Sequence, residues 1–470
     1  LIMTIGGWLI YNNINTNDFD KITTHQDFVQ NVPIRDYEAL RPYVDRVVAG
    51  EKDILWPGKP LYFAKTSGTT SGAKYIPLTK ESMPTHIKAA RNAILCYINQ
   101  TKKAAFVDGK MIFLQGSPEM TTQNGIGLGR LSGIVAHYVP KYLLKNRLPS
   151  WQTNCIEDWE TKVDAIVQET KAENMTVISG IPPWVQMYFE KLTKATGKKT
   201  GDLFKNFELF IYGGVNFEPY RAKFEALIGR KVPSIELFRA SEGFFAFQDS
   251  QHDKGMLLQL DGGIFYEFVV ADDFFKENPK RHTISQVELG VNYVLLISTS
   301  AGLWGYNIGD TVEFTSLKPY RVIVTGRIKH YISAFGEHVI AKEVETAMKQ
   351  AMDSFGFSIS EFTVAPQTSP KSGELAYHEW FVEFEDAIDN LPEIAQKLES
   401  VLQIQNSYYK DLLDGNMLQQ LKISPLEKGA FQRYMKSQGK LGGQNKVPRL
   451  SNDRKIADKL SIFKLKNTTL

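Results

Sequence analysis

Strands and helices are predicted to alternate along residues 158–238, and this alternation constrains the fold more than any other feature of the sequence. The apolar runs Thr176–Ser179 and Phe207–Tyr212 have the length of buried strands, and amphipathic helical patterns precede and follow each of them. Such alternation is typical of a largely parallel sheet that is covered by helices on both faces. Ligands bind these sheets beyond the carboxyl ends of the strands, where Gly213 and Gly214 are expected to lie.

Length and composition predict a soluble protein of two or three domains, since 470 residues exceed one ordinary core. The 55 basic and 52 acidic residues give a net charge of +3, which provides no electrostatic argument for binding nucleic acid or acidic membranes. The apolar run at residues 1–10 is shorter than the roughly 20 residues of a membrane span. The two cysteines are not spaced as metal ligands, and the sequence has no H-x-x-x-H pair that would suggest a zinc site. We therefore expect a cytoplasmic protein without a membrane or nucleic-acid partner.

A dense cluster of hydroxyl residues and glycine occupies Thr66–Gly72 and is followed by Lys74. Successive backbone N–H groups, hydroxyls and one ammonium can together surround an anion, so we interpret this stretch as a phosphate-binding loop. The Walker motif is excluded, because Gly68 and Gly72 enclose three residues instead of four and Tyr75 follows the lysine. A flexible surface loop is the alternative.

The run Asn-Gly-Ile-Gly-Leu-Gly, residues 124–129, resembles a dinucleotide-binding fingerprint but has its third glycine one residue early. We expect instead a loop that lines a pocket. Gly302–Asp310 is predicted to connect two strands, and Leu114–Val139 is predicted to line a pocket together with the region before Tyr212.

The fold class predicted from these patterns is α/β and α+β, with several domains. A large N-terminal domain, residues 1–328, is expected to contain mostly parallel sheets covered by helices, plus a β-rich subdomain. A β-α-β-β-α-β-like order then predicts a small, mobile C-terminal α+β domain, residues 329–470.

Four separated segments occur in the order and context of the adenylate-forming superfamily: Thr66–Lys74, Ala240-Ser241-Glu242, Gly309-Asp310 and Gly326-Arg327. Within that superfamily the chain resembles the auxin-responsive acyl-acid amido synthetases, the Gretchen Hagen family, and especially their bacterial relatives. The segments that carry this resemblance are Ile211-Tyr-Gly-Gly-Val-Asn-Phe217, Ala240-Ser-Glu-Gly-Phe-Phe245, Lys329-His-Tyr-Ile-Ser-Ala-Phe-Gly-Glu337 and Gly442-Gly-Gln-Asn-Lys-Val-Pro-Arg-Leu450. The resemblance covers nearly the whole chain.

The resemblance implies an enzyme that activates a carboxylic acid with ATP and Mg²⁺ to an acyl adenylate, and then forms an amide with an amine such as an amino acid. It implies small-molecule partners only and a monomer or weak homodimer. A carboxylate–CoA ligase on the same scaffold is one alternative. A nucleotide-binding protein that has lost catalysis is another.

The resemblance also implies roles for individual residues in nucleotide binding. The polyphosphate would be held by Ser67, Gly68, Thr69, Thr70 and Lys74. The adenine would lie near Tyr212, Gly213, Gly214, Phe238 and Ser241, with phenylalanine at 238 where the family commonly has tyrosine. Asp310 would accept both ribose hydroxyls, because a carboxylate offers two acceptor oxygens.

Catalysis would depend on Glu242, Arg327 and Lys446. Glu242 would help to place Mg²⁺, a cation that prefers oxygen ligands. Arg327 would contact the ribose or the α-phosphate, and Lys446 would reach the α-phosphate from the C-terminal domain. Lys329, next to His330, would lie at the hinge and contact the nucleotide.

Two positions depart from the family pattern. Gly305 stands where the family commonly has arginine, and Asn307 stands where a second arginine is often found. Both departures affect contacts on the phosphate or acyl side of the site. Gly305, together with Phe238, motivates the hypothesis of lost catalysis.

Overall fold

The computed structural model describes residues 22–69, 72–214, 217–328, 331–332, 334–337, 339–370, 373–438 and 447–465. The strands are β1 Tyr62–Thr69, β2 Gly72–Leu78, β3 Lys110–Phe113, β4 Thr121–Gln123, β5 Ile126–Gly129, β6 Arg147–Leu148, β7 Met175–Ser179, β8 Leu209–Gly213, β9 Ser234–Ala240, β10 Gly243–Phe247, β11 Met256–Leu258, β12 Ile264–Val270, β13 Asn292–Thr299, β14 Tyr306–Leu317, β15 Tyr320–Arg327, β16 Tyr331–Ile332, β17 Val339–Ile340, β18 Ile359–Gln367, β19 Tyr377–Phe384 and β20 Lys422–Pro425.

The helices are α1 His25–Asn31, α2 Tyr37–Val48, α3 Met83–Thr101, α4 Leu131–Ala136, α5 Lys141–Leu144, α6 Trp151–Asn154, α7 Trp159–Thr170, α8 Pro182–Thr196, α9 Thr200–Leu203, α10 Glu218–Ile228, α11 Ala341–Phe355, α12 Leu391–Gln405, α13 Ser407–Asp414, α14 Ala430–Ser437 and α15 Lys455–Leu460. In the described part of the chain, none of these helices has the length and apolar character of a membrane span.

One sheet of eleven strands organises the larger part of the molecule. Its order is β12-β13-β14-β15-β11-β10-β9-β8-β7-β3-β6. The five strands β9, β8, β7, β3 and β6 pair in parallel, whereas the strands from β12 to β9 pair antiparallel. The predicted α/β alternation is therefore confirmed. The predicted β-rich region is present as well, but it continues the same sheet and does not form a separate one.

The parallel half forms because its strands are apolar on both faces. Val177 and Leu209 pack with α3 residues such as Tyr97 on one face of the sheet. Ile178 and Phe210 pack with α7 and α8 on the other face. The side-chain period of two in a strand thus places consecutive apolar residues in two different cores.

Two glycine-containing segments form hairpins where loops were expected. The predicted phosphate loop lies largely within β1 and β2, which pair Thr66 with Lys74 and Thr69 with Gly72. The glycines of 124–129 belong to the β4–β5 hairpin, whose turn residues Asn124 and Gly125 have φ values of 52° and 79°. Asn-Gly is the sequence preferred in such two-residue turns, because both turn residues need positive φ. The order of this four-stranded sheet is β2-β1-β5-β4.

The predicted connection Gly302–Asp310 is wrong from Tyr306 onward, because β14 begins there. Tyr306 pairs with Ile297 of β13, and both side chains are buried in one core cluster. Two consecutive helices, α12 and α13, occupy residues 391–414. Asn406 separates them, since its side chain accepts hydrogen bonds from the first backbone N–H groups of α13.

The C-terminal part has a three-stranded sheet, β18-β19-β20, which packs against α11 and α12. Among the described residues, side-chain hydrogen bonds between the C-terminal part and the larger part include Arg130–Asp411 at 2.6 Å and Asn416–Glu160 at 2.7 Å. The α+β character of this region agrees with the sequence. A domain boundary between residues 328 and 329 stays a prediction.

Candidate functional site

The backbone at the carboxyl end of β8 is unusually close to its neighbour. Gly213 pairs with Leu237 of β9, and a Cβ atom at residue 213 would lie 2.3 Å from the Leu237 carbonyl oxygen. Gly214 follows with a φ of 86°, a conformation that favours glycine. Only glycine fits at 213, so the strand end presents bare backbone that a flat ring could approach.

Two aromatic residues predicted near the adenine are largely buried. Tyr212 is 7% exposed, and its ring stacks on Phe210 with centroids 5.3 Å apart. Phe238 is 8% exposed and packs against Phe245 at 5.0 Å. Both rings therefore support the strand ends from the core, and stacking of Phe238 on a base stays a prediction.

Ser241 and Glu242 form the turn between β9 and β10, as the sequence predicted. The hydroxyl of Tyr306 in β14 donates to Oε1 of Glu242 at 3.3 Å. Burial raises the pKa of Tyr306 well above its ordinary value, and the negative charge of Glu242 raises it further. Tyr306 therefore remains a neutral donor to this carboxylate. Tyr306 was not predicted from the sequence, although it lies within the glycine-rich run that contains Asp310.

Asp310 and Arg327 are directly opposed across β14 and β15. Asp310 is 7% exposed. Just after Arg327, the Ile328 backbone N–H donates to the Gly309 carbonyl oxygen at 2.8 Å, and this hydrogen bond fixes the backbone there. Asp310 thus lies in a strand and not in the predicted turn, because β14 continues without interruption through Gly309. The two residues assigned to the ribose and phosphate are brought together by this pairing.

The β1–β2 hairpin places Lys74 beside helix α2. The Lys74 ammonium lies 5.4 Å from the centroid of the Tyr37 ring. The backbone of Ser67, Gly68 and Thr69 runs within β1.

Some predicted site residues lie outside the described residues. They are Thr70, Lys329 and Lys446.

The segment before α2 also reaches the site, which no sequence pattern predicted. Arg35 forms a parallel bridge with Tyr306, through hydrogen bonds of 3.0 Å to the Gly305 carbonyl and 2.8 Å from the Asn307 N–H. Asp36 caps α2 by accepting from Ala39, and its negative charge contributes to the raised pKa of Tyr306. Asp36 immediately before a helical pattern is a cap signal. Nothing in the sequence connects that cap to residues 305–307.

Glu242 is the carboxylate predicted to help place Mg²⁺, and it lies in the turn between β9 and β10. Among the residues that the structure describes, no group of three or more His, Cys, Asp or Glu side chains could form a metal site. A metal role for Glu242 stays a prediction. A Mg²⁺ ion that arrives with a triphosphate would need only one or two carboxylates, because phosphate and water complete its shell.

Family models match three regions that cover most of the chain. The GH3 family N-terminal domain matches residues 14–154, the central domain 257–327 and the C-terminal domain 342–455. The jasmonoyl–L-amino acid synthetase JAR4 of Nicotiana attenuata is 21% identical over 360 residues, which are 62% of this chain and 61% of the relative. The indole-3-acetic acid-amido synthetase GH3.15 of Arabidopsis thaliana is 36% identical over 105 residues, 22% of this chain and 17% of the relative. The matches thus span less than two thirds of these relatives.

Solved structures share the fold over nearly the whole length. A GH3.15 acyl acid amido synthetase in complex with 2,4-DB aligns with a TM-score of 0.59 at 15% identity, covering 99% of this chain and 92% of that one. A second structure of a GH3.15 acyl acid amido synthetase aligns with a TM-score of 0.57 at 16% identity, covering 97% and 92%. The family models and this shared fold agree with the motifs gathered at the sheet edge, and the chain belongs to the GH3 family.

Proposed function

We propose that this protein uses ATP to convert a carboxylic acid to an acyl adenylate and then transfers the acyl group to an amine, such as an amino acid, to form an amide. The observation that carries the proposal is the hydrogen bond from Tyr306 to Glu242. It brings the turn after β9 to the strand that bears Asp310, so that two separated motifs lie at one edge of the sheet. Family membership supports the same chemistry.

In the first step, a carboxylate oxygen of the acid attacks the α-phosphorus of ATP, and pyrophosphate leaves. Lys74 and the backbone of the β1–β2 hairpin would hold the departing phosphates, since charged donors stabilise negative charge that develops there. Asp310 would accept the ribose hydroxyls, and Arg327 would contact the ribose or the α-phosphate. Glu242 would hold Mg²⁺, which neutralises the charge of the phosphates. Lys446 would approach the α-phosphate as adenylation proceeds.

In the second step, an amine nitrogen attacks the acyl carbon and AMP leaves with the former carboxylate oxygen. The attacking nitrogen loses a proton as the amide forms. A rotation of the C-terminal domain about Lys329 and its neighbours would exchange the groups that face the acyl adenylate between the two steps.

Gly305 lies where a side chain would meet the neighbouring backbone. Gly305 has a φ of 57°, and a Cβ atom there would lie 2.7 Å from the carbonyl oxygen of Pro33. Arg35 occupies the neighbouring backbone and bridges to Tyr306. A side chain at residue 305 is thus excluded by the path of residues 33–35, so its absence does not by itself favour lost catalysis.

An acid panel and an amine panel test the proposal. The purified chain is incubated with ATP, Mg²⁺ and each acid, and released pyrophosphate is measured. Reactions that release pyrophosphate are repeated with amino acids or with CoA, and the products are identified by mass spectrometry. We expect acid-dependent pyrophosphate and an amide product. A thioester without amide would support the CoA ligase instead, and ATP binding without pyrophosphate release from any acid would support lost catalysis. A measurement of the native molecular mass would test the monomer or weak homodimer that we propose. Cell fractionation would test the proposed cytoplasmic location.

A further inference from the structure

We infer that Tyr37 is a positioning residue that fixes the Lys74 ammonium for the polyphosphate of ATP and ties the β1–β2 hairpin to the Glu242 turn. This inference rests on the proposed function, because it assigns the ligand of Lys74 from that function. Tyr37 itself would not touch the reacting atoms.

Two contacts join Tyr37 to the hairpin. Its hydroxyl oxygen accepts a hydrogen bond from the Tyr75 backbone N–H at 2.8 Å. Its ring lies under the Lys74 ammonium, with 5.4 Å between the nitrogen and the ring centroid. A lysine side chain has a flexible four-carbon stem and ends in a compact ammonium. An attraction to a ring face therefore limits the positions that the ammonium can take.

Tyr37 is itself held firmly. Its side chain is 3% exposed, and it is the first residue of α2, which Asp36 caps at its N-terminus. Burial raises the pKa of Tyr37 to about 12, so the ring stays neutral and keeps its attraction for a cation at physiological pH. The backbone of Arg35, two residues earlier, is hydrogen-bonded to Gly305 and Asn307, the two residues that flank Tyr306 in the sequence.

These contacts form a continuous path across the proposed site. Lys74 lies over Tyr37, the segment from Tyr37 back to Arg35 bridges to Tyr306, and Tyr306 donates to Glu242. The three contacts in this path, Lys74–Tyr37, Arg35–Tyr306 and Tyr306–Glu242, each join elements that are far apart in the sequence. The hairpin that carries Lys74 is therefore fixed in position relative to Glu242, the carboxylate proposed for Mg²⁺.

The test measures ATP binding by calorimetry in the Tyr37→Leu variant, alone and combined with Lys74→Ala. Loss of a cation–π attraction is expected to weaken ATP binding roughly 3- to 30-fold in the native background. In the Lys74→Ala background the same change is expected to weaken ATP binding by a clearly smaller factor, because only the hydrogen bond from the Tyr75 N–H then remains to be lost. In pyrophosphate exchange, the KM for ATP should rise while the KM for the acid changes less than twofold.

Three controls make the outcome specific. Tyr37→Phe keeps the ring, so it should weaken ATP binding by no more than about threefold. Pentafluorophenylalanine at position 37 keeps the shape but reverses the charge distribution of the ring face, so it should bind ATP more weakly than Tyr37→Phe even if Tyr37→Leu fails to fold. Tyr97→Leu removes a buried tyrosine that packs on Phe106, and it should change stability without a selective effect on ATP.

The inference is overturned if Tyr37→Leu weakens ATP binding equally in both backgrounds, if it leaves ATP affinity unchanged, or if the phenylalanine and its fluorinated form bind ATP alike. Calorimetry keeps this test separate from the proposed function, because ATP binding can be measured in a chain that performs no adenylation. Failure of acid-dependent pyrophosphate exchange in the wild-type protein would count against the function and not against the role of Tyr37.

Discussion

The Tyr306 hydroxyl lies 3.3 Å from Oε1 of Glu242, although 64 residues separate the two in the sequence. Tyr306 is 1% exposed and its raised pKa keeps it protonated, so it acts as a hydrogen-bond donor. Glu242 lies in a two-residue turn that would otherwise leave its side chain free to adopt several rotamers. The hydrogen bond therefore fixes the carboxylate at the sheet edge where we place Mg²⁺ and the phosphates.

Tyr306→Phe is expected to slow acid-dependent pyrophosphate exchange roughly 10-fold and to raise the Mg²⁺ concentration that gives half-maximal rate. A hydrogen bond to a charged group contributes about 1.5–3 kcal/mol, and Glu242 is partly exposed, so the lower end applies. The measurement is exchange rate against Mg²⁺ concentration. Tyr293→Phe is the control, since that buried hydroxyl accepts from the Glu288 N–H instead. An unchanged Mg²⁺ dependence in Tyr306→Phe would separate Glu242 from the metal.

Asp310→Ala is expected to weaken ATP binding while leaving the fold intact. The change would remove two charge-assisted hydrogen bonds to the ribose, each worth at most about 1.5–3 kcal/mol. Calorimetric titration with ATP is the measurement, and Glu313→Ala, three residues further along β14, is the matched control. A folded Asp310→Ala protein with the wild-type dissociation constant would remove Asp310 from the ribose site.

Gly305→Ala is expected to lower the free energy of unfolding more than Gly58→Ala does. Both glycines have positive φ, 57° and 77°, so both substitutions carry left-handed backbone strain of about 1–2 kcal/mol. A Cβ at Gly58 meets nothing within 4 Å, whereas one at Gly305 meets the Pro33 carbonyl oxygen at 2.7 Å. Overpacking should add about 1–3 kcal/mol at Gly305. Urea unfolding measures the difference, and equal losses would show that residues 33–35 can move aside.

His86 is expected to make the folded protein less stable as the pH falls. Burial, together with the positive charge of Arg239, lowers the pKa of His86 from 6.5 to about 4. Between these values the unfolded chain binds a proton that the folded chain does not, so the free energy of unfolding falls as pH decreases from 6.5 towards 4. The shift corresponds to about 3 kcal/mol at most. Urea unfolding at pH 7.0, 5.5 and 4.5 should show a weaker pH dependence in His86→Leu, and an identical dependence would contradict the assignment.

The parallel half of the sheet could be predicted from the sequence because its strands carry their own signal. All five residues of β7 are buried, so the run around Val177 is apolar without alternation, and helices with clear periodicity flank it. The end of β8 at Gly213 and the Ser241-Glu242 turn followed from the same pattern. These elements depend on local composition, which can be read directly from the sequence.

The antiparallel half and the approach of residues 35–37 depend on pairings that no local pattern displays. The glycines at 302, 305 and 309 suggested a connection, yet β14 begins at Tyr306 because its partners β13 and β15 supply the hydrogen bonds. Arg35 and Tyr306 form a bridge although most of the sequence of the larger part of the molecule lies between them. Tyr306 and Tyr37 were therefore not predicted as site residues, whereas Glu242, Asp310 and Lys74 were, and the roles of all five residues stay predictions.

Transfer of a labelled oxygen tests the central proposal most directly. An acid that supports pyrophosphate release is prepared with ¹⁸O in both carboxylate oxygens and incubated with the protein, ATP, Mg²⁺ and an amine. Attack of the carboxylate on the α-phosphorus predicts one ¹⁸O atom in AMP, one in the amide and none in pyrophosphate, measured by mass spectrometry. ADP formation with ¹⁸O in inorganic phosphate, or AMP without label, would contradict an acyl adenylate intermediate.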